Sequence, residues 1–174
     1  MDMEQFETVD RGSTLKLKVF ISHKQEDELT ALTVEKALTS AGAEVYLDVL
    51  DNTITGDGER LTKHIQAKLH ECTDVIVILS NRTKESWWVP FEIGMATEKD
   101  MPIANFLLSY ETLPEYLEYW PRLKNQQDVF KYVDTRNKVA NQIMLERTIN
   151  KSFQRQDDGM TETQKFYAEL KKIL

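Results

Sequence analysis

Short apolar runs alternate along this chain with segments in which apolar residues recur at intervals of three and four. The runs have the length and the Val/Ile/Phe content of strands, and five strands are predicted at 17–21, 44–48, 74–79, 102–108 and 128–133. Because helical spacing separates the strands, the pattern indicates βαβ units. We therefore expect an α/β fold with a parallel sheet and helices on both faces.

The helices follow the strands in order. The first three are predicted over about 26–41, 61–72 and 86–99. After Asp134 the chain is again predicted to be helical, with a break at 156–159. The last helix carries an apolar stripe made of Phe166, Tyr167, Leu170, Ile173 and Leu174.

The length of 174 residues fits one domain with a substantial core. Residues 1–14 are polar and are predicted to form a flexible N-terminal arm. The α/β domain is predicted over 15–135, and the helices of 136–174 are predicted to pack on the same domain. The hydrophobic fraction of 41% and the charged fraction of 29% are typical of a globular protein.

Charge and cysteine content narrow the classes of function. A net charge of −7 argues against binding to a nucleic-acid backbone, which needs dense Lys and Arg. Cys72 is the only cysteine, so neither an intrachain disulfide nor a zinc site built from thiolates is expected. No apolar run approaches the about 20 residues of a membrane span, and the first residues do not resemble a secretory signal. A cytoplasmic location without membrane contact is predicted.

The strongest candidate site follows the third strand. Trp88 and Glu92 are four residues apart, so on a helix they lie on one face, one turn from each other. Pro90 fits the first turn of that helix, which places the helix start near Ser86. Open α/β sheets bind ligands at the carboxyl ends of their strands. An aromatic ring beside a carboxylate suits a nucleotide ring beside a ribose, although core packing of a Trp and a solvated Glu92 would produce the same pattern.

Two loops are expected at the same edge of the sheet. The segment 20–27 follows the first strand, and backbone N–H groups at the next helix start can hold a phosphate, with positive charge from His23 and Lys24. It contains no glycine, so it is neither a P-loop nor a dinucleotide fingerprint. The loop 48–58 either covers a ligand, contacts a neighbouring molecule or is a solvent loop. His64 and His70 are predicted to be surface or boundary residues rather than metal ligands.

These elements together resemble a Toll/interleukin-1 receptor homology (TIR) domain. The segment 19–27 is similar to the first box of that family, residues 46–48 with the loop that follows are similar to the second, and 80–92 is similar to the third helix. The resemblance covers about residues 16–135 in the right order. It implies a flavodoxin-like, five-stranded parallel sheet.

The resemblance also implies an activity. Enzymatic TIR domains cleave NAD⁺ at the nicotinamide–ribose bond with a glutamate on the third helix, and Glu92 matches that glutamate. NAD⁺ is then a substrate, and no cofactor or metal is expected. The substrate-binding residues that the resemblance and the strand-end position indicate are Phe20, Ser22, His23, Lys24, Asp48, Ser86 and Trp88.

The same resemblance implies a biological setting. TIR proteins of this size are typical of bacterial anti-phage defence, where those of the Thoeris type make a cyclic or modified ADP-ribose signal that a downstream effector senses. Self-association is implied through the loop after the second strand. Two alternatives remain open: a noncatalytic TIR scaffold that acts by assembly, and an enzyme similar to nucleoside deoxyribosyltransferases, which share a related fold and also use a glutamate.

Overall fold

Five parallel strands form the centre of the molecule. The computed structural model describes residues 16–47, 57–108, 113, 115–153 and 159–174. In the described part the strands are β1 (Lys18–Ser22), β2 (Glu44–Leu47), β3 (Asp74–Leu79), β4 (Ile103–Leu107) and β5 (Arg122–Leu123). They pair in parallel in the order β2-β1-β3-β4-β5. This is the flavodoxin-like order, and the predicted fold class is confirmed.

Helices cover both faces of this sheet. Their bounds are α1 (Glu28–Ser40), α2 (Gly58–His70), α3 (Trp88–Glu98), α4 (Glu115–Glu118), α5 (Gln126–Phe153) and α6 (Glu162–Leu170). Two short 3₁₀ helices, Gln25–Asp27 and Asn81–Glu85, follow β1 and β3. α1 packs against α5 and α2 packs against α3. None of the helices in the described ranges is long and apolar enough to cross a membrane.

β3 is the centre of the core. All of its residues are buried, as expected for a Val/Ile strand that is covered on both faces. Successive side chains of a strand point to opposite faces. Asp74 and Val77 are three residues apart, so their side chains point to opposite faces. Asp74 points towards α5, where its hydrogen-bond partners lie. Val77 points to the face that it shares with Ser22, its partner in the register of β1 and β3.

The predicted fifth strand is wrong. Residues 128–133 belong to the first turns of α5, and β5 lies earlier, at Arg122–Leu123. The Val, Phe and Tyr residues of this segment favour strands, but the buried ones, Val129, Tyr132 and Val133, are spaced at i, i+3 and i+4, which is helical. Asn125 also accepts a hydrogen bond at Oδ1 from the Asp128 N–H (3.1 Å), as a helix-capping residue does.

The predictions for the two ends of the chain compare with the structure in different ways. The arm at 1–14 and most of the helix break at 156–159 lie outside the described residues. The boundary predicted between residues 135 and 136 falls inside the continuous helix α5. Of the predicted apolar stripe, Phe166, Tyr167 and Leu170 lie on α6 and are buried, whereas Ile173 and Leu174 come after the end of α6 and are exposed.

A buried ionic network fixes α5 and α6 at the amino-terminal edge of the sheet. Asp74 is wholly buried and accepts hydrogen bonds from the Tyr132 hydroxyl (2.7 Å) and from Arg136 Nε (2.7 Å). Arg136 also contacts Glu162 of α6 at 3.2 Å. The Tyr167 hydroxyl accepts a hydrogen bond from the Ile103 N–H at the start of β4 (2.7 Å). The C-terminal helices are thus bonded directly to the sheet.

Burial and the charge of Asp74 both shift the pKa values of Arg136 and Tyr132. Burial alone lowers the pKa of the Arg136 guanidinium, but the adjacent Asp74 carboxylate outweighs that effect and raises the pKa above its usual value. Burial, with Asp74 beside it, also raises the pKa of Tyr132 well above its usual range. Arg136 therefore stays charged and Tyr132 stays neutral, so both continue to donate to the buried carboxylate.

Replacing Arg136 with Met leaves the Asp74 carboxylate buried without its cation. We expect R136M to lower the free energy of unfolding by about 3–5 kcal/mol, because an uncompensated buried charge is costly. R122M removes an exposed pair with Glu118 (3.1 Å) and should cost no more than about 1 kcal/mol. Urea denaturation of both variants checks this, and equal losses would contradict the role of the network.

Candidate functional site

The carboxyl ends of β1 and β3 lie side by side, at the point where the strand order of the sheet reverses. β1 continues to β2 on one side, whereas β3 continues to β4 on the other. The helices that follow two such strands diverge and leave a crevice at the carboxyl end of the sheet. Ser22 ends β1, and Ser80 follows the last residue of β3. The candidate site lies here.

Glu92 is buried at this crevice. It is 1% exposed, although carboxylates on helices are usually solvated. The hydroxyl of Ser22, itself fully buried, donates a hydrogen bond to Glu92 Oε2. A buried carboxylate costs free energy unless polar partners replace its water. The alternative in which Glu92 is a solvated helix residue therefore does not hold, and the structure brings together two of the predicted site residues.

The two tryptophans before Glu92 have different environments. Trp88 is half-buried, packs in part on the core, and meets the Phe91 ring edge-on with centroids 5.8 Å apart. It lies one turn before Glu92 on the same side of α3. Trp87 is 91% exposed. Of the pair, Trp88 is the ring beside the carboxylate.

Ser86 shapes the start of α3. Its Oγ accepts a hydrogen bond from the Val89 N–H at 3.3 Å, which satisfies one of the free donors of the first turn. Pro90 lies in that first turn, where its missing N–H costs nothing. Ser86 thus holds the helix whose second turn carries Glu92.

β1 and the turn after it carry three further predicted residues. Phe20 is wholly buried and packs on the Tyr46 ring at 5.4 Å, so in this conformation its ring supports β1 from within the core and has no surface to offer a ligand. His23 is half-buried, with Nδ1 3.5 Å from the Ile21 carbonyl oxygen. Lys24 Nζ lies between Glu85 (3.2 Å) and Glu26 (3.3 Å). Its hydrogen bond to Glu85 raises the pKa of the Lys24 ammonium.

A part-buried contact that the sequence pattern did not indicate joins the two turns. Asp27 is the N-cap residue of α1, but its carboxylate makes no capping bond and instead accepts from the Ser80 hydroxyl at 2.6 Å. Arg82 Nη1 also donates to the Glu26 carbonyl at 3.3 Å. The one feature of the sequence that indicates this contact is the place of the two residues along the chain. Asp27 follows β1 and Ser80 follows β3, and these strands are neighbours in the sheet.

The other predicted residues contribute less. Asp48 and most of the loop 48–58 lie outside the described residues. His64 lies on α2, and its Nε2 is 3.2 Å from the hydroxyl oxygen of Tyr46. Within the part of the chain that the structure describes, no group of three or more His, Cys, Asp or Glu side chains could hold a metal ion. The candidate site therefore consists of the Glu92 carboxylate with the Ser22 hydroxyl, the Trp88 ring on the same side of α3, and Lys24 on the turn after β1.

A match to a family model identifies the family of this protein. The model of the TIR domain matches residues 19–147, so the chain belongs to the TIR family, as the three motifs indicated. The match continues into α5, beyond the expected end of the resemblance near residue 135. No curated protein matches the chain.

Two solved structures with TM-scores above 0.5 agree on the fold, and a third aligns less well. A 2-deoxyribosyltransferase from Bacillus psychrosaccharolyticus aligns with a TM-score of 0.56 and 14% identity, covering 65% of this chain and 90% of its own. The TIR domain of a Toll-related receptor from Hydra magnipapillata aligns with a TM-score of 0.51 and 17% identity, covering 63% and 86%. The TIR domains of the activated Roq1 resistosome align at 0.43 with 16% identity, over 91% and 100%.

The Ser80–Asp27 hydrogen bond should stabilise the crevice measurably. S80A leaves the Asp27 carboxylate, 5% exposed, without this donor, and also removes the acceptor of the Arg82 N–H. We expect a loss of about 1–3 kcal/mol in the free energy of unfolding. The matched variant S40A changes an exposed serine at the end of α1 and should stay within about 0.5 kcal/mol. Similar midpoints in urea for S80A and S40A would contradict this.

Proposed function

We propose that this protein cleaves NAD⁺ at the bond between nicotinamide and ribose. The TIR family includes NAD⁺-cleaving enzymes and noncatalytic scaffolds. The observation that favours the enzyme is the burial of Glu92 against Ser22 at the strand-end crevice. A scaffold has no use for a carboxylate held out of water at a ligand-binding edge, because burying it reduces stability.

The chemistry requires little besides this carboxylate. Nicotinamide in NAD⁺ is already cationic at its ring nitrogen, so the C–N bond breaks without a general acid, and the bonding electrons leave with neutral nicotinamide. The ribose becomes oxocarbenium-like. A fixed carboxylate near the anomeric carbon stabilises that positive charge, as in glycoside hydrolysis. Glu92 performs this role, and the Ser22 hydroxyl orients its carboxylate.

The surrounding residues hold the substrate. Trp88 packs against the nicotinamide or the ribose, and Ser86 keeps the start of α3 in place. Lys24 and His23 lie on the turn after β1, where the diphosphate is held. Asp48, on the loop after β2, completes the predicted binding set. The nucleophile decides the product: water gives ADP-ribose, whereas an adenine nitrogen or a ribose hydroxyl of the same molecule gives a cyclic one.

The proposed biological role follows the resemblance to bacterial defence proteins. The product, a cyclic or modified ADP-ribose, serves as a signal for a downstream effector in anti-phage defence. The alternative role is a scaffold that acts by self-assembly alone. The fold likeness to a 2-deoxyribosyltransferase motivates a third assay, exchange of bases between nucleosides, because a carboxylate can stabilise the positively charged sugar formed in that reaction as well.

Replacing Glu92 with Gln should remove nicotinamide release. Gln keeps the shape and can still accept from Ser22, but it has no negative charge for the oxocarbenium-like ribose, so we expect a fall of at least about 100-fold in kcat. The control E98Q alters an exposed glutamate near the end of the same helix and should keep full activity. Nicotinamide is measured by chromatography, and circular dichroism verifies the fold. Undiminished turnover by E92Q would refute the assignment.

Specific activity should rise with protein concentration. If a second TIR molecule completes the site through the loop after β2, dilute protein has low activity, and crowding or high concentration raises nicotinamide release per molecule. Rates at several concentrations, with and without an inert polymer, give the measurement. Specific activity that is constant across the range would show that a single chain contains the whole site.

A further inference from the structure

One ion pair bridges the mouth of the crevice. Lys24 Nζ is 3.2 Å from Glu85, and the lysine side chain is only 20% exposed whereas Glu85 is 77% exposed. Lys24 comes two residues after Ser22, and Glu85 comes one residue before Ser86. The pair therefore joins the two chain segments that lead to the Ser22–Glu92 hydrogen bond.

The contacts between these two segments differ in strength. The bond from Ser80 to Asp27 involves a buried carboxylate and is costly to break. The Lys24–Glu85 pair ends in an exposed carboxylate, and such pairs contribute little net stability. Glu26, the second carboxylate beside Lys24, belongs to the same turn as Lys24 and moves with it. Of the two carboxylates that pair with Lys24 among the described residues, Glu85 is thus the one that can be exchanged without disturbing the turn.

We infer that Glu85 is a specificity-determining residue that occupies, in the free protein, the place on Lys24 taken by the diphosphate of a dinucleotide. This inference rests on the proposed NAD⁺ site. A diphosphate carries two negative charges and replaces one carboxylate on the lysine, whereas a neutral nucleoside has nothing to exchange for Glu85. The charge of Lys24 favours phosphorylated ligands over neutral ones, and Glu85 reduces that preference, because it lowers the affinity only for ligands that must displace it from the lysine.

The test is binding of ADP-ribose to catalytically inactive protein. In the E92Q background, calorimetry compares Glu85 with E85Q at low ionic strength. We expect E85Q to bind ADP-ribose about two- to fivefold more tightly, the range that an exposed ion pair supports. Binding of adenosine, which is neutral, should not change. In a K24Q background the E85Q substitution should have no effect, because the competition needs the lysine.

The chain offers a closely matched control. Glu146 pairs with Lys165 at the same 3.2 Å, and that lysine is also 20% exposed, but the pair joins α5 to α6. E146Q changes the net charge equally and should leave ADP-ribose binding unchanged. An equal gain from E146Q would assign the effect to total charge and overturn the inference.

The outcomes separate this inference from the proposed function. Tighter ADP-ribose binding by E85Q without nicotinamide release from the protein with Glu92 intact supports the exchange at Lys24 and contradicts the enzyme. Release with unchanged E85Q affinity supports the enzyme and overturns the role of Glu85. Tighter binding of adenosine together with ADP-ribose would also overturn it, because relief of simple obstruction does not depend on ligand charge. No ADP-ribose binding by any variant would overturn the role of Glu85, and nicotinamide release from the protein with Glu92 intact would then decide the proposed function separately.

Discussion

The burial of Glu92 against the Ser22 hydroxyl is the constraint on which the functional edge of the molecule depends. A carboxylate that is 1% exposed must be hydrogen-bonded, so α3 has to lie over the end of β1 with one particular side turned inward. That orientation places Trp88 half-buried beside the carboxylate and turns Trp87 to solvent. The strand order β2-β1-β3-β4-β5 then leaves a crevice directly at this pair.

The two edges of the sheet are stabilised in opposite ways. At the amino-terminal edge, Asp74, Tyr132 and Arg136 form a buried network that fixes α5, and Tyr167 of α6 bonds to β4. At the carboxyl edge, the bonds between the turns after β1 and β3 range from the buried Asp27–Ser80 contact to the exposed Lys24–Glu85 pair. A base held by buried hydrogen bonds and a rim whose outer contacts are weak suit the proposed site for a charged ligand.

Much of the fold could be predicted because periodicity reports burial directly. The Val/Ile run of β3 matched its predicted bounds at Asp74–Leu79, and the i, i+4 spacing placed Trp88 with Glu92. Periodicity failed where propensity and spacing disagreed, as at Val129 and Tyr132, which favour strands but lie in α5. It also carries no information on contacts between distant residues. Ser22 meets Glu92 across 70 positions and Asp27 meets Ser80 across 53, and both contacts depend on strand order and on how the turns lie.

The central claim is that the buried carboxylate breaks the nicotinamide–ribose bond. The most direct measurement is the full product profile from NAD⁺, by chromatography and mass spectrometry, with the protein at high concentration and under crowding. The account predicts nicotinamide in equal amount with a second product that retains the ADP-ribosyl group, with the mass of ADP-ribose if it is hydrolysed and that mass less one water if it is cyclised. Intact NAD⁺ under every condition, with the protein folded, would contradict it.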